Sequence, residues 1–408
     1  MAMYASLQTQ REPEQVGGVS TVVTFRVWAE GFLDRIEKRV GTVGASVLVG
    51  LLLLLAGAVY VMPAAHCINH GCGYQEIATD PWHVSNSNPL RMRLLTPLLA
   101  YALGFRHERY IAFPMALVGV FLAQVYMYVR KRAGCSPLTA LAVSTALATT
   151  TLLAHSLHHS GVQDPMQYCL LVAALANAGN PIIAPLAVGL GVMSHESTMF
   201  HVPWVTIAIW RERRSLGSFV TACVTMLVLI WIVFRIRAGI ATAGGTLYTE
   251  QAYLSISNVI TVVHDIALLF PLGTFMSLRA VWFVPIASAW VCWKGRHFSN
   301  LFFLAVIVGS AFSQLLLAWD TSRIVSMAFP SVLVGAGILK QAWGERVLAH
   351  RVWLVVVANL LIPQYLVGGS VAVPYLPLPV AYAVRHYLDI DIEKRWWSDC
   401  AFNNCRPY

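Results

Sequence analysis

Long apolar runs separated by short polar loops dominate the chain. The run at 43–62 is the clearest, and it has the ~20 apolar residues that a helix needs to cross a hydrocarbon core. Comparable runs occupy 111–129, 137–156, 165–178, 182–194, 200–210, 217–235, 277–293, 299–318, 324–340 and 352–368. The pattern predicts an all-α, polytopic membrane protein with about eleven transmembrane helices. The middle three runs are short, and Asn180-Pro181 and residues 194–197 interrupt them. Broken helices at membrane depth require protein or a water-filled cavity around them, so this stretch is expected to line a cavity. Residues 94–105 and 256–275 are apolar but do not fit as spans. The first is short and follows Arg91 and Arg93, and the second would upset the alternation of basic loops described below. Both are expected as helices lying along the outer interface. Residues 22–40 are amphipathic, with Phe25, Trp28, Phe32 and Ile36 on one face and Arg26, Arg35, Lys38 and Arg39 supplying charge. This reads as a helix on the cytoplasmic surface.

Composition agrees with a membrane chain: 57% of residues are hydrophobic and only 12% charged. The net charge of +9 concentrates at Arg130-Lys131-Arg132, Arg211-Glu212-Arg213-Arg214, Lys294-Gly295-Arg296 and residues 340–351. That is the positive-inside pattern and an attraction for anionic lipid, not a nucleic-acid surface. It predicts a cytoplasmic tail over 1–42, a transmembrane domain over 43–368 with large outer loops at 63–110 and 236–276, and an outer tail over 369–408. The layout of the first residues predicts no cleavable signal peptide. An inner, plasma-type bacterial membrane is the expected location. Cys67 and Cys72 fall in the first outer loop, and Cys400 and Cys405 in the outer tail. Such close pairs in an oxidising compartment read as disulfides of open connectivity. Cys135, Cys169, Cys223 and Cys292 read as free packing residues.

The acids change the picture most. Of 19 Asp and Glu, five lie in the N-terminal tail, four in the C-terminal tail, and Glu212 and Glu345 in basic loops. The remaining Glu76, Asp80, Glu108, Asp164, Glu196, Glu250, Asp265 and Asp320 all face the outer side in this topology. Acids near hydrocarbon depth are costly and usually functional. Asp80 is a carboxylate near the membrane surface, able to deprotonate a hydroxyl or bind a cation. Arg91 and Arg93 are suited to a phosphate at the lipid boundary, or simply snorkel from a solvated loop. His155, His158, His159 and Asp164 read first as a polar helix end meeting water and second as metal ligands. Asp164, before Pro165, either caps a helix or places a carboxylate in the cavity. Glu196, in Gly191-Val192-Met193-Ser194-His195-Glu196-Ser197, has no nearby Lys or Arg in sequence and needs a partner, a proton or a function. The plainer reading there is Ser194 as an N-cap. Asp320 and Arg323 either pair with each other or leave Arg323 to an anionic head group. Glu108, between Arg106 and Arg109, reads as an interfacial ion pair. No Walker, Rossmann, GxSxG or HExxH pattern is present, which leaves a soluble nucleotide-using enzyme without support.

These short motifs, in this order, resemble the GT-C superfamily of bacterial multi-pass glycosyltransferases. The order is an aspartate in the first outer loop, then Asn88-Pro89-Leu90-Arg91-Met92-Arg93-Leu94-Leu95-Thr96-Pro97, Asp164-Pro165, residues 191–197 with Pro203, and Asp320-Thr321-Ser322-Arg323 with Pro330. The likeness covers roughly residues 40–340. It implies transfer of a sugar from a polyprenyl-phosphate donor to a glycan or lipid acceptor on the outer face. Asp80 takes the place of the catalytic carboxylate, with Asp164 and Glu196 as further catalytic acids. Arg91, Arg93, Asp320, Arg323, His83 and His195 are expected to bind substrate; on chemical grounds Tyr74, Trp82, Trp319 and His83 can stack on sugar rings, although an interfacial aromatic belt explains the Trp and Tyr equally well. Two departures stand out: Asp80 is followed by Pro81 where the family often pairs acids, which leaves a divalent cation open, and no large soluble C-terminal domain follows. The competing class is a transporter or flippase with an outward-facing acidic cavity.

Overall fold

The computed structural model describes residues 21–61, 63, 67, 70–85, 88, 90–244 and 255–375. The predicted Glu250, the Cys400 and Cys405 pair and the tail beyond Tyr375 lie outside them. Seventeen helices of the α type carry the fold among these residues. In chain order they are α1 (Thr21–Val61), α2 (His70–Thr79), α3 (Leu95–Ala102), α4 (Ala112–Lys131), α5 (Pro137–Ala148), α6 (Thr151–His158), α7 (Asp164–Ala176), α8 (Ile183–Ser194) and α9 (Val202–Arg213). They continue with α10 (Leu216–Gly244), α11 (Ile256–Ala267), α12 (Phe270–Leu278), α13 (Phe283–Lys294), α14 (Phe298–Ser313), α15 (Thr321–Ser326), α16 (Pro330–Trp343) and α17 (Glu345–Leu361). Six helical segments are long and apolar enough to cross a membrane, or seven if α5 and α6, bent by 52° at Thr149–Thr150, count as one. The protein is thus a predominantly helical membrane protein.

The breaks have local causes. Gly41 divides α1 with φ 73° and ψ 166°, a conformation that costs glycine little. The predicted surface helix therefore precedes the first span at a hinge. Trp28 and Phe32 stack there at 5.6 Å with both side chains exposed, while Ile36 packs against the core. Arg279 ends α12 with φ 55° and is completely buried. Its Nη1 donates to the Thr149 carbonyl (2.8 Å) and to Gln364 Oε1 (3.2 Å), and its Nη2 to the carbonyls of Asn359 and Ile362. Those carbonyls belong to the α5–α6 break and to the end of α17, where the last turn leaves acceptors without intrahelical donors. One guanidinium therefore caps two helix ends, and a cation suits the negative pole of each.

Four expectations change. The chain is not all-α: β1 (Gln364–Gly368) and β2 (Val371–Tyr375) form an antiparallel hairpin with Gln364 opposite Tyr375. The last helix lies at Glu345–Leu361, not 352–368, because Pro363 forces Ile362 into an extended conformation and Gly369, at φ 56°, turns the chain back. The loop expected from 236 starts later, since α10 continues to Gly244. The interfacial stretch 256–275 divides: α11 is separate, whereas Phe270–Lys294 is one of the candidate spans. Residues 94–105 hold only the eight-residue α3. Of the disulfide pairings the sequence leaves open, Cys67 joins Cys72 locally. Cys135, Cys169, Cys223 and Cys292 are free.

The bundle has two polar ends. At one, the basic loops interlock. Arg130 donates to Glu37 at 3.0 and 2.9 Å, Arg132 lies 3.9 Å from Glu212, the Ser136 amide donates to Glu345 (2.8 Å), and Arg211 donates to Ser299 Oγ (2.9 Å). Lys340 reaches the Ala133 and Gly134 carbonyls, and Arg213 the Gly179 carbonyl. The helices that start or end in these loops lead to the other end, where the body acids lie.

Candidate functional site

At the acidic end, charged side chains from segments distant in sequence meet. Arg93, in the turn before α3, forms a two-point pair with Glu196: Nε donates at 3.0 Å and Nη2 makes the second bond. Its Nη1 donates to the Tyr74 hydroxyl on α2 at 2.9 Å. Arg237, on the late turns of α10, stands 3.5 Å from Glu196 and also donates to the Val192 carbonyl (2.8 Å). Glu196 thus finds its partners 103 and 41 residues away, where no sequence neighbour could supply them. Burial opposes its charge, but Arg93, His195 and Arg237 hold its carboxyl well below the usual range.

Beside this pair lies a second. Asp164 opens α7 and is buried; Gln163, not Asp164, occupies the N-cap position, and no side chain caps it. The Asp164 carboxylate faces inward instead, 3.4 Å from His155 Nε2 and 3.5 Å from Arg323 Nε. Arg323 also donates to Asp320 at 2.8 Å. Of the two readings of the Asp320–Arg323 motif, the i, i+3 pair forms, and the same guanidinium also approaches Asp164. The hairpin closes over this corner. Ser322 Oγ accepts from the Val367 amide (2.9 Å), the Gly369 amide donates to the Trp319 carbonyl (2.8 Å), and the Tyr375 hydroxyl lies 3.5 Å from His155 Nδ1.

The two pairs share one cleft. His70, at the start of α2, is exposed, yet burial and the charges of Arg93 and Arg323 lower its pKa to about 4, against the opposing pull of Asp320 and Asp164. Solvent thus reaches His70 close to these charges. The partly exposed Glu196 (35%) and Asp320 (38%) side chains fit the same description. His195 caps the turn Glu196–His201: its Nδ1 accepts from the Ser197 amide at 3.2 Å. Burial and then Arg93 lower its pKa to about 3, so the ring is neutral and carries its proton on Nε2. The expected Ser194 cap is not used; Ser194 Oγ instead meets Thr96 Oγ1 at 3.1 Å.

The structure brings Arg93, Asp164, His195, Glu196, Asp320 and Arg323 together. It leaves three expected residues apart. Asp80 and His83 sit on the exposed turn after α2, hydrogen-bonded to each other at 2.8 Å, and that bond is the main cause of a lowered Asp80 pKa. Arg91 donates to the Ile240 carbonyl (3.1 Å) and so tethers α10. His155 and His159 do not meet water, and only His158 of the three is half-exposed. His155 and His159 are buried and stack at 4.4 Å, because the turn after α6 lies beneath α2. A Cβ at Gly71 would run into the Ser160 carbonyl, so only glycine permits that approach. Among the described residues, no group of three or more His, Cys, Asp or Glu is arranged to hold a metal ion. Glu76 is a loop lock, accepting from the Ser85 amide and Asn88 Nδ2, each at 2.8 Å. Glu108 makes no ion pair among the described residues, and Arg106 lies over the Tyr101 ring instead. Asp265 accepts from Trp319 Nε1 at 3.0 Å. Of the expected stacking residues, Tyr74 is buried and Trp82 is exposed on the Asp80 turn.

Sequence reasoning missed His70, Arg237 and Arg279. The signal for Arg237 was present: two arginines, Arg235 and Arg237, follow an apolar run on the side the basic loops avoid. No protein-family model, curated protein or solved structure matches the chain.

Proposed function

We propose that the protein is a GT-C-like membrane glycosyltransferase that moves a sugar from a polyprenyl-phosphate donor to an acceptor at its acidic end. In this reading the chain makes eleven membrane passages with the basic loops and N-terminus inside, and the acidic cleft opens outward. The observation that carries the reading is the gathering of Arg93, Arg237 and Arg323 on one cleft at the end of the bundle. Guanidiniums bind phosphate oxygens by paired hydrogen bonds. Held in a low-dielectric cleft, they stabilise the charge that grows on a departing lipid phosphate. Glu196 and Asp320 keep the arginines oriented, and their partial exposure lets a phosphate compete for them. His195, with its proton on Nε2, is a neutral donor suited to a sugar hydroxyl. The acceptor hydroxyl needs a base, which this reading takes from the first outer segment, where Asp80 and His70 both lie.

The test is transfer of a labelled sugar from polyprenyl phosphate by the purified protein in proteoliposomes. Wild type is expected to form product, and Arg93→Ala or Arg323→Ala to lose at least about 100-fold, in line with the loss of a group that stabilises transition-state charge. Substrate uptake without any sugar transfer would place the protein among transporters and end this reading.

A further inference from the structure

An apolar groove of about 460 Å³ lies between α11, the start of α12 and the end of α14. Val263 and Ile266 line it from α11, Phe270 from α12, and Phe312, Leu315 and Leu316 from α14 and the turn that follows it. Every lining side chain is apolar. Phe270 and Phe312 meet edge to face at 5.9 Å, a favoured arrangement for two rings. Val263 and Leu316 are exposed, so the groove is open on one side. Exposed apolar surface of this kind marks a site for a partner or a lipid, and the neighbours of the groove decide between them.

The groove adjoins the charged cleft. Asp265 lies on α11 between Val263 and Ile266 and accepts from Trp319 Nε1 at 3.0 Å. That bond ties the α11 wall to the residue before Asp320. The other wall runs on in sequence: Leu316 is four residues before Asp320, so at most about 14 Å of backbone separates them. The short helix α15 belongs to both sites. Its Arg323 pairs with Asp320 at 2.8 Å and approaches Asp164. The next residues, Ile324 and Val325, pack in one apolar cluster with Ile266 and Leu315 of the groove. A cationic site for phosphate and an apolar slot for a chain therefore lie side by side, joined by α15.

We propose that the groove binds the isoprene units nearest the phosphate of the lipid carrier, while Arg323 holds the phosphate itself. This rests on the transfer reading above and goes beyond it by giving the chain a place and a length. A cavity of about 150 Å³ holds one benzene ring. By that measure about 460 Å³ holds on the order of 18 carbons, roughly three to four isoprene units. That is room for one chain and not for the paired chains of a phospholipid. The bilayer already solvates hydrocarbon, so removal from water adds nothing to binding there. The gain comes from contact with fixed walls, because side chains held in place pack a chain more closely than fluid lipid tails do. A longer chain runs out of the groove into lipid and gains no more.

The experiment measures binding of prenyl monophosphates of one to six isoprene units to the protein in phosphatidylcholine nanodiscs. It compares wild type with Val263→Trp, which fills the groove from its exposed edge, and Phe312→Ala, which removes part of a wall. The ratio of wild-type to Val263→Trp affinity at each length cancels partitioning of the chain into the bilayer. That ratio is expected to be near one for the one-unit phosphate, to climb to about tenfold at three to four units, and to stay level beyond. Phe312→Ala should weaken the same lengths and leave the one-unit phosphate unchanged, so the phosphate site is intact in both variants. A ratio that is flat across lengths, or still climbing at six units, overturns the role of the groove. Displacement of the three-unit phosphate by an equal concentration of phosphatidic acid overturns it in favour of an ordinary phospholipid. A dimer that Val263→Trp dissociates overturns it in favour of a second copy of the chain. Sugar transfer with a flat ratio leaves the transfer reading standing without the groove. The step in chain length without sugar transfer supports the groove and ends the transfer reading alone.

Discussion

At the basic end of the bundle, arginine and lysine reach loop carbonyls and single, partly buried carboxylates while their own side chains keep some contact with water: Arg130 with Glu37, Arg132 with Glu212, Lys340 on Ala133 and Gly134. At the acidic end the same residue types meet each other around a cleft. Asp164 and His155 are 3% exposed at their side chains, and Arg323 is 16% exposed. Ion pairs near water contribute little because solvent already stabilises each charge. Buried pairs cost several kcal/mol per ion in desolvation before their attraction returns it. The basic end therefore latches loops together, while the acidic end keeps charges in a setting whose cost marks it as the candidate functional site.

This contrast predicts a graded response to loss of one partner. Asp164→Ala should have the largest effect, about 3–5 kcal/mol of stability in detergent, because Arg323 then keeps only Asp320 while remaining largely buried. Combining Asp164→Ala with Arg323→Met should recover part of that loss; equal instability of single and double variants would break the comparison. Glu196→Gln should follow, at about 1–3 kcal/mol, since its cleft is partly solvated and Arg93 keeps Tyr74. Glu37→Gln, at the basic end, should cost about 1 kcal/mol, because a glutamine still offers Arg130 an acceptor and Arg130 also donates to the Cys135 carbonyl. An effect at Glu37 as large as that at Asp164 would show that burial does not separate the two ends.

Much of the site was legible in parts. Glu196 stood out as a charge without a sequence neighbour, and Asp320-Arg323 as a pair, and both lie in the cleft. Asp80 stood out for the same kind of reason, yet it forms a local turn with His83. A sequence gives no measure of how far a loop helix carries one residue from another.

By itself the sequence determined the apolar helices, the segregation of basic loops from body acids, the separation of the amphipathic segment 22–40 from the first apolar run and the free state of the four scattered cysteines. These follow from periodicity, hydropathy and local backbone preference, which act over a few residues. Tertiary structure alone decided that Arg93 and Arg237 meet on Glu196, that Arg323 joins Asp320 to Asp164, and that Arg279 caps breaks 130 and 83 residues away. It also decided that a hairpin and not a helix closes the acidic end. Those contacts depend on how separate helices pack. A buried charge is tolerated only where packing supplies its partner, and such partners are set by position in space and not by distance along the chain.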